Sequence, residues 1–228
     1  MTLHYDSLPI NEDILLDLPF REGTKTVTQD VAKPHHPITM VNEPAWTELD
    51  TGLTVLTLDG VDQYLQSKND ETEDLEFTDG DYSIGAWIKW QAGGEDSQIV
   101  IGRYQVDVGG WEIYLYSTGS LTERHHHAGG DALRSACYSM GWTYDTWHFM
   151  GISRSGATGI HYRNGVPLAM LGTMEDPEAT TQDLVIGVRF NKSDNEYKGP
   201  LWRPRVWGRA LSGIEWLQEY ERTKGWFA

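Results

Sequence analysis

From residue 82 onward the chain repeatedly alternates apolar and polar residues one by one. That period suits a strand with one buried face and no helix. The runs are YSIGAWIKW (82–90), SQIVIGRY (97–104), GWEIYLYS (110–117), TWHFMGISRS (146–155), TGIHYR (158–163), VPLAML (166–171) and LVIGV (184–188). In the first, Ile84, Ala86 and Ile88 share a face, with Tyr82, Ser83, Gly85, Trp87 and Lys89 among the remainder. Gly, Asn and Asp separate the runs, and short strands at regular spacing with such breakers predict an all-β sandwich or barrel. Asn164-Gly165 supplies two residues that tolerate positive φ, as a type I′ turn demands, so its flanking runs are expected to be antiparallel neighbours.

One helix is expected near the end, in LSGIEWLQEYERTKGW (211–226). Ser212 and Glu215 have the spacing of a capping box. Ile214, Leu217 and Tyr220/Glu221 follow at helical spacing, and Gly225 is placed to end the helix. The acidic run KNDETEDLEFTDGD (68–81) reads as a solvated connection between strands. No linker, repeat or low-complexity tract divides the chain. Residues 13–228 are expected to be one domain, preceded by an N-terminal arm, 1–12.

A chain of 228 residues can bury a sizeable core without covalent staples. Cys137 is its only cysteine, so no intrachain disulfide forms, and it is expected as a core residue of a strand. Acidic residues number 34 against 18 basic, a formal net charge of −16, which argues against nucleic acid as a partner and favours solubility. No stretch of about 18 apolar residues exists to cross a membrane. The N-terminus lacks the basic start and apolar run of a secretory signal.

Several stretches together resemble the concanavalin A-like, laminin G-type jelly-roll family. VLTLDGVDQYLQ (55–66) is similar to its FDGxDDYV strand pair, and FTDGDYSIGAWIKW (77–90) to its FTISAWVK strand. DTWHFMGISRSGATGIHYRNGVPLA (145–169) resembles GTWHHVAVTYDGSTVRLYVNGVLVA, which makes the Asn164-Gly165 hairpin a family signature. LVIGVRF (184–190) resembles LTIG, and YKGPLWRPRVWGRALSGIEWLQEYE (197–221) resembles FKGxIDDVRIYNRALSxxEIxxLY. ILLDLPFREG (14–23) and PAWTELDTGLTVLTLDG (44–60) match the opening strand and the lead into the DG turn. The likeness spans residues 13–222. It implies two antiparallel sheets, one of them concave, in a jelly roll of about a dozen strands, with Trp87 and Trp147 as packing aromatics.

The resemblance also implies candidate sites. Hydrolases of this architecture carry paired carboxylates at alternate positions of one strand. Here the nearest match, Glu71, Glu73 and Glu76, falls in the acidic connector, and Glu112 has no evident partner, so no catalytic residue is expected. By likeness to the pentraxin branch, calcium would be held by Asp107 together with Asn191, Asp194 and Glu196. Against that site, Leu201, Trp202 and Arg203 stand where the family has IDD. ERHHHAGGD (123–131) and KPHHP (33–37) are expected as exposed loops, because adjacent residues of an extended chain point to opposite sides and cannot converge on one ion. Asp59 and Asp62 are expected as turn formers.

These readings favour a non-catalytic structural or attachment protein, a decoration, fibre or tail subunit on the surface of a virus particle assembled in the host cytoplasm. In that reading the chain forms homo-oligomers, contacts other virion subunits through residues 1–12, and presents loops 103–110, 123–131 and 189–198 outward. The alternative is a lectin-like module that binds glycans through Trp111 and Tyr114, with calcium as its candidate cofactor. A glycoside hydrolase is the distant third.

Overall fold

A computed structural model describes residues 5–24, 26–93, 95–130, 133–137, 141–168 and 172–227. Among them, sixteen strands numbered in chain order build two antiparallel sheets. The first sheet runs β14 (Val166–Leu168), β13 (Thr158–Arg163), β12 (His148–Ser155), β7 (Tyr82–Ile88), β16 (Lys198–Trp207), β5 (Thr54–Asp59) and β4 (Ala45–Glu48), with β1 (Ile14–Asp17) paired to the second half of β16. The second runs β11 (Leu133–Cys137), β10 (Leu121–His125), β9 (Gly109–Tyr116), β8 (Ser97–Gln105), β15 (Leu184–Ile186), β6 (Tyr64–Ser67), β3 (Pro37–Val41) and β2 (Val27–Gln29). This is the jelly-roll sandwich that the family resemblance implies, one of the two architectures the alternation allows. The strands beyond a dozen include short pieces such as β2, β3 and β4, of three to five residues each.

The main core lies between the sheets, where Leu16, Leu56, Leu58, Leu65, Ile84, Ile88, Ile101, Ile113, Leu115, Ile152 and Val206 are all buried. At the hairpin, β13 and β14 pair with Arg163 opposite Val166. Asn164 and Gly165 have φ of 53° and 76°, the positive values a type I′ turn requires. The last three residues of the run 166–171 lie outside the described residues. Tyr82 belongs inside with Ile84, two residues on, rather than on the opposite face, because its hydroxyl has polar partners waiting in the other sheet.

Helix α1 (Gly213–Thr223) starts with the capping box: Glu215 N–H donates to Ser212 Oγ at 3.3 Å, and Ser212 N–H donates to Glu215 Oε2 at 2.8 Å. Its buried face differs from the expected one. Ile214 and Leu217 are exposed, whereas Trp216, Glu219 and Thr223 are buried. Trp216 decides this. Gly85 and Gly151 are register partners on β7 and β12, and a Cβ on either would stand within 2.8 Å of the Trp216 ring. The missing side chains leave a seat for the indole, whose Nε1 donates to Ser153 Oγ at 2.8 Å. The helix then tightens into a 3-10 turn, Lys224–Trp226, in which Gly225 supplies no left-handed cap. Trp87 is buried beneath this end, stacked on Tyr220 and Phe227, with Nε1 donating to Thr223 Oγ1. Trp147 is half-buried against Phe227. The outer face of the first sheet is thus taken by the helix.

The described part of the N-terminal segment is docked on its own domain. Tyr5 Oη donates to Asp17 Oδ2 at 2.6 Å, Trp207 Nε1 to the Ile10 carbonyl at 2.7 Å, and Arg209 to the Glu12 and Pro9 carbonyls. Residues 1–4 lie outside the described residues. No helix of the described residues is long and apolar enough to cross a membrane.

Candidate functional site

On the outer face of the second sheet, alternation along β9, and along β8 with a register shift between Ile99 and Ile101, brings Ile99, Tyr104, Glu112, Tyr114 and Tyr116 to one side, and β10 adds Arg124, directly opposite Glu112 in register. Arg189 and Asn195, from the loop after β15, and Ser97 complete a pocket of about 110 Å³. Ile99, Tyr104 and Tyr114 form a small apolar cluster with Tyr116, Val106 and Phe190, separate from the main core.

The polar groups of this face are pre-positioned. Arg124 donates from Nη2 to Tyr114 Oη at 2.6 Å, lies 4.9 Å over that ring, and pairs from Nη1 with Glu112 Oε1 at 3.2 Å. Glu112 also meets His126 Nε2 at 3.0 Å and bonds the Tyr104 hydroxyl, and Tyr104 stacks on the His126 ring. Burial raises the Tyr114 hydroxyl to about 12, against the opposing pull of Arg124, and Tyr104 rises further for the same reason, with Glu112 adding to it. Both phenols therefore stay neutral donors. Tyr116, Arg124, Arg189, Asn195 and Ser97 are partly exposed, so a ligand would meet two guanidinium groups, an amide, a hydroxyl and a tyrosine ring. One carboxylate lines the pocket, where glycosidic bond cleavage needs two.

Several expected site residues lie elsewhere. Trp111 points into the main core, fully buried between Phe77 and Tyr82, with Nε1 donating to the Leu75 carbonyl at 2.6 Å. It cannot stack on a ligand, because it sits one residue out of phase with the outward Glu112 and Tyr114. Tyr114 does line the pocket. Glu112, expected without a partner, has three, two of them on the chain 12 to 14 residues further on. Glu123, Arg124 and His125 belong to β10, not to a surface loop, and Glu123, His125 and the following His126 are buried. Its alternation sends Glu123 and His125 inward and His126 outward. The signal for this was Leu121-Thr122 before it, an apolar start that continues the hairpin from β9. Asp131 lies outside the described residues. His36 of KPHHP is likewise buried, held between Asp30 Oδ2 and Asp74 Oδ1, each at 2.8 Å.

The calcium candidates do not assemble. Asp107 occupies the turn after β8, while Asn195, beside Asp194, bonds Ser97 and Ile99 at the start of that strand. Eight residue steps of strand separate the two ends by roughly 26 Å. Asp194 already faces Arg189 at 3.6 Å and accepts from Asn191 Nδ2 at 2.6 Å. Glu196 is nearly buried, and burial together with Glu95, Asp194 and Asp59 raises its carboxyl, which weakens it as a ligand. Among the described residues no group of three or more His, Cys, Asp or Glu is arranged to hold a metal ion. The four residues do not fit one calcium ion. Glu71 and Glu73 lie exposed on 3-10 turns, and Glu76 is bound by Arg103 at 2.9 Å, so none projects from a strand.

Two antiparallel sheets backed by one C-terminal helix define the class as a concanavalin A-like sandwich. Residues 59–215 match the family model Laminin_G_3, Concanavalin A-like lectin/glucanases superfamily, and the chain belongs to this family. No curated protein sequence matches it. In fold it is similar to the binding domain of Paraclostridial Mosquitocidal Protein 1, with a TM-score of 0.73 at 14% identity over 93% of this chain and 53% of that one. It is similar also to the botulinum neurotoxin serotype G binding domain, TM-score 0.72 at 12% identity over 91% and 50%. The receptor binding domain of botulinum neurotoxin D gives 0.71 at 14% over 93% and 53%. The chain spans about half the length of these structures.

Proposed function

We propose that the chain is a non-catalytic binding and attachment protein that takes a saccharide on the outer face of its second sheet. The observation that carries this is Arg124, fixed between Glu112 and Tyr114 in a pocket it shares with the partly exposed Tyr116. Saccharides are held by such a mixture, with rings packing on aromatic faces and hydroxyls exchanging hydrogen bonds with fixed polar groups. The roles named for the fold neighbours, binding and receptor binding, support the same reading. A panel of soluble oligosaccharides titrated into the protein tests it. Saturable binding with no new reducing ends is expected, and release of reducing ends would overturn the non-catalytic reading.

The setting we propose is the surface of a virus particle, in a homo-oligomer. Its support is in the sequence, an acidic chain that folds with no disulfide. Native mass measurement tests it, since a monomer at working concentration would contradict it.

A further inference from the structure

A second cleft lies on the other side of the molecule. It measures about 380 Å³ and is walled by residues 19–21 after β1, residues 52–54 of the β4–β5 hairpin, Trp202 and Arg203 of β16, and Arg222, Thr223 and Trp226 at the helix end. In a chain with nearly twice as many acidic as basic residues, this lining holds three arginines and no carboxylate.

Two of the arginines have structural work. Arg203 donates from Nε and Nη2 to the two oxygens of buried Asp17, at 2.9 and 2.8 Å. Its Nη1 is left over, with Glu219 Oε1 at 3.8 Å as the nearest carboxylate. Arg222 and Arg205 both donate to Glu219. Asp17 and Glu219 thus carry two negative charges against three positive ones, and Arg21 adds a fourth. Arg21 is exposed and pairs with no carboxylate among the described residues, so nothing in the fold requires its charge. Low-exposure carboxylates anchor the cationic wall from behind, and the surplus charge faces the cleft.

Apart from Thr54 and Thr223, the remaining lining is uncharged and largely apolar, and it is held in place. Trp202 Nε1 donates to the Pro19 carbonyl at 3.0 Å, and Thr51 Oγ1 to the Trp226 carbonyl at 2.9 Å, which ties the hairpin tip to the chain end. Trp226 keeps 45% of its surface exposed beside Phe20 and Leu53. A pre-formed cleft of this size, with forked cation donors next to an open indole, suits a small organic molecule with an oxyanion head and a ring body. We propose that this cleft is a binding site for a ring-bearing organic anion, whose carboxylate, sulfate or phosphate meets Arg21, Arg203 and Arg222 and whose ring lies on Trp226. It stands on a different face from the saccharide site and does not depend on it.

The test follows the indole N–H signals of Trp226 and Trp202 by NMR while glucuronate, glucose 6-sulfate, glucose 6-phosphate, glucose and inorganic sulfate are added separately. Saturable shifts with at least one of the three charged sugars and none with glucose are expected, and the one that binds identifies the head group. Arg21→Gln, a change of an exposed residue, should weaken that binding about tenfold, as should Trp226→Ala, while Tyr116→Ala on the opposite sheet should leave it unchanged. No saturable shift with any charged sugar at millimolar concentration would overturn the proposal. So would equal shifts with glucose, or inorganic sulfate binding as tightly as the ring-bearing ligands.

Discussion

Tyr82 Oη lies 2.6 Å from Glu123 Oε1 and joins the two sheets through an interior that neither side chain leaves. The same hydroxyl lies 2.7 Å from His125 Nε2, and His125 Nδ1 lies 2.5 Å from the Glu175 carbonyl. A carbonyl only accepts, so Nδ1 carries the proton and Nε2 accepts from Tyr82. The tyrosine has one proton to give, and every contact is satisfied when Glu123 is itself protonated. Burial pushes Glu123 up to about 7, with Tyr82 and Arg154 opposing, and pushes His125 down to about 4.

The folded chain therefore holds a proton on Glu123 that the unfolded chain releases near 4.5. Its contribution to stability is complete below that value and is lost as pH rises toward 7. His125 and His161, both lowered to about 4, slope the other way between pH 4 and 6.5. Comparison with Glu123→Gln isolates the carboxyl: urea melts should show the wild type losing stability relative to this variant between pH 5 and 7. Parallel curves would contradict the buried proton.

His36 is the opposite kind of histidine. Burial opposes its charge, but Asp30 and Asp74 outweigh it and raise the imidazole to about 9. The ion pair stabilises the fold fully below pH 6.5, and that share disappears as pH climbs through 9. His36→Gln should cost about 3 kcal/mol at pH 6 and much less at pH 9.5, measured by denaturant titration.

Gly85 and Gly151 seat Trp216, so a methyl at either must push the helix away. Each change to Ala is expected to cost about 1–3 kcal/mol, and Trp216→Ala about 3–5 kcal/mol. Paired with Trp216→Ala, Gly85→Ala should cost little more, because the seat is then vacant. A double-mutant cycle reads this coupling.

Calcium and chelator should leave the melting temperature unchanged, since Asp107 stands at the far end of β8 from Asn191, Asp194 and Glu196. A calcium-dependent rise would contradict the reading of that edge.

Local signals carried the fold. Period two marked the strands, Asn164-Gly165 the hairpin, and Ser212 with Glu215 the start of the helix, because each acts over a few residues. The burial of charged groups was not legible. Glu219 looks like a solvent residue until Arg205 arrives from β16, and Glu123 looks like one until Tyr82 arrives from the other sheet, 41 residues away. Of the two aromatic candidates, Tyr114 lies on the outer sheet face and Trp111 in the core, a distinction that one residue of strand phase decides.

The proposed saccharide site rests on Arg124 and Tyr116 of the second sheet. Glycan-array retention of the wild type beside Arg124→Gln and Tyr116→Ala tests it most directly. Retention on a defined subset of glycans is expected, weakened about tenfold by either change. Retention on none, or retention that both variants keep in full, would contradict it.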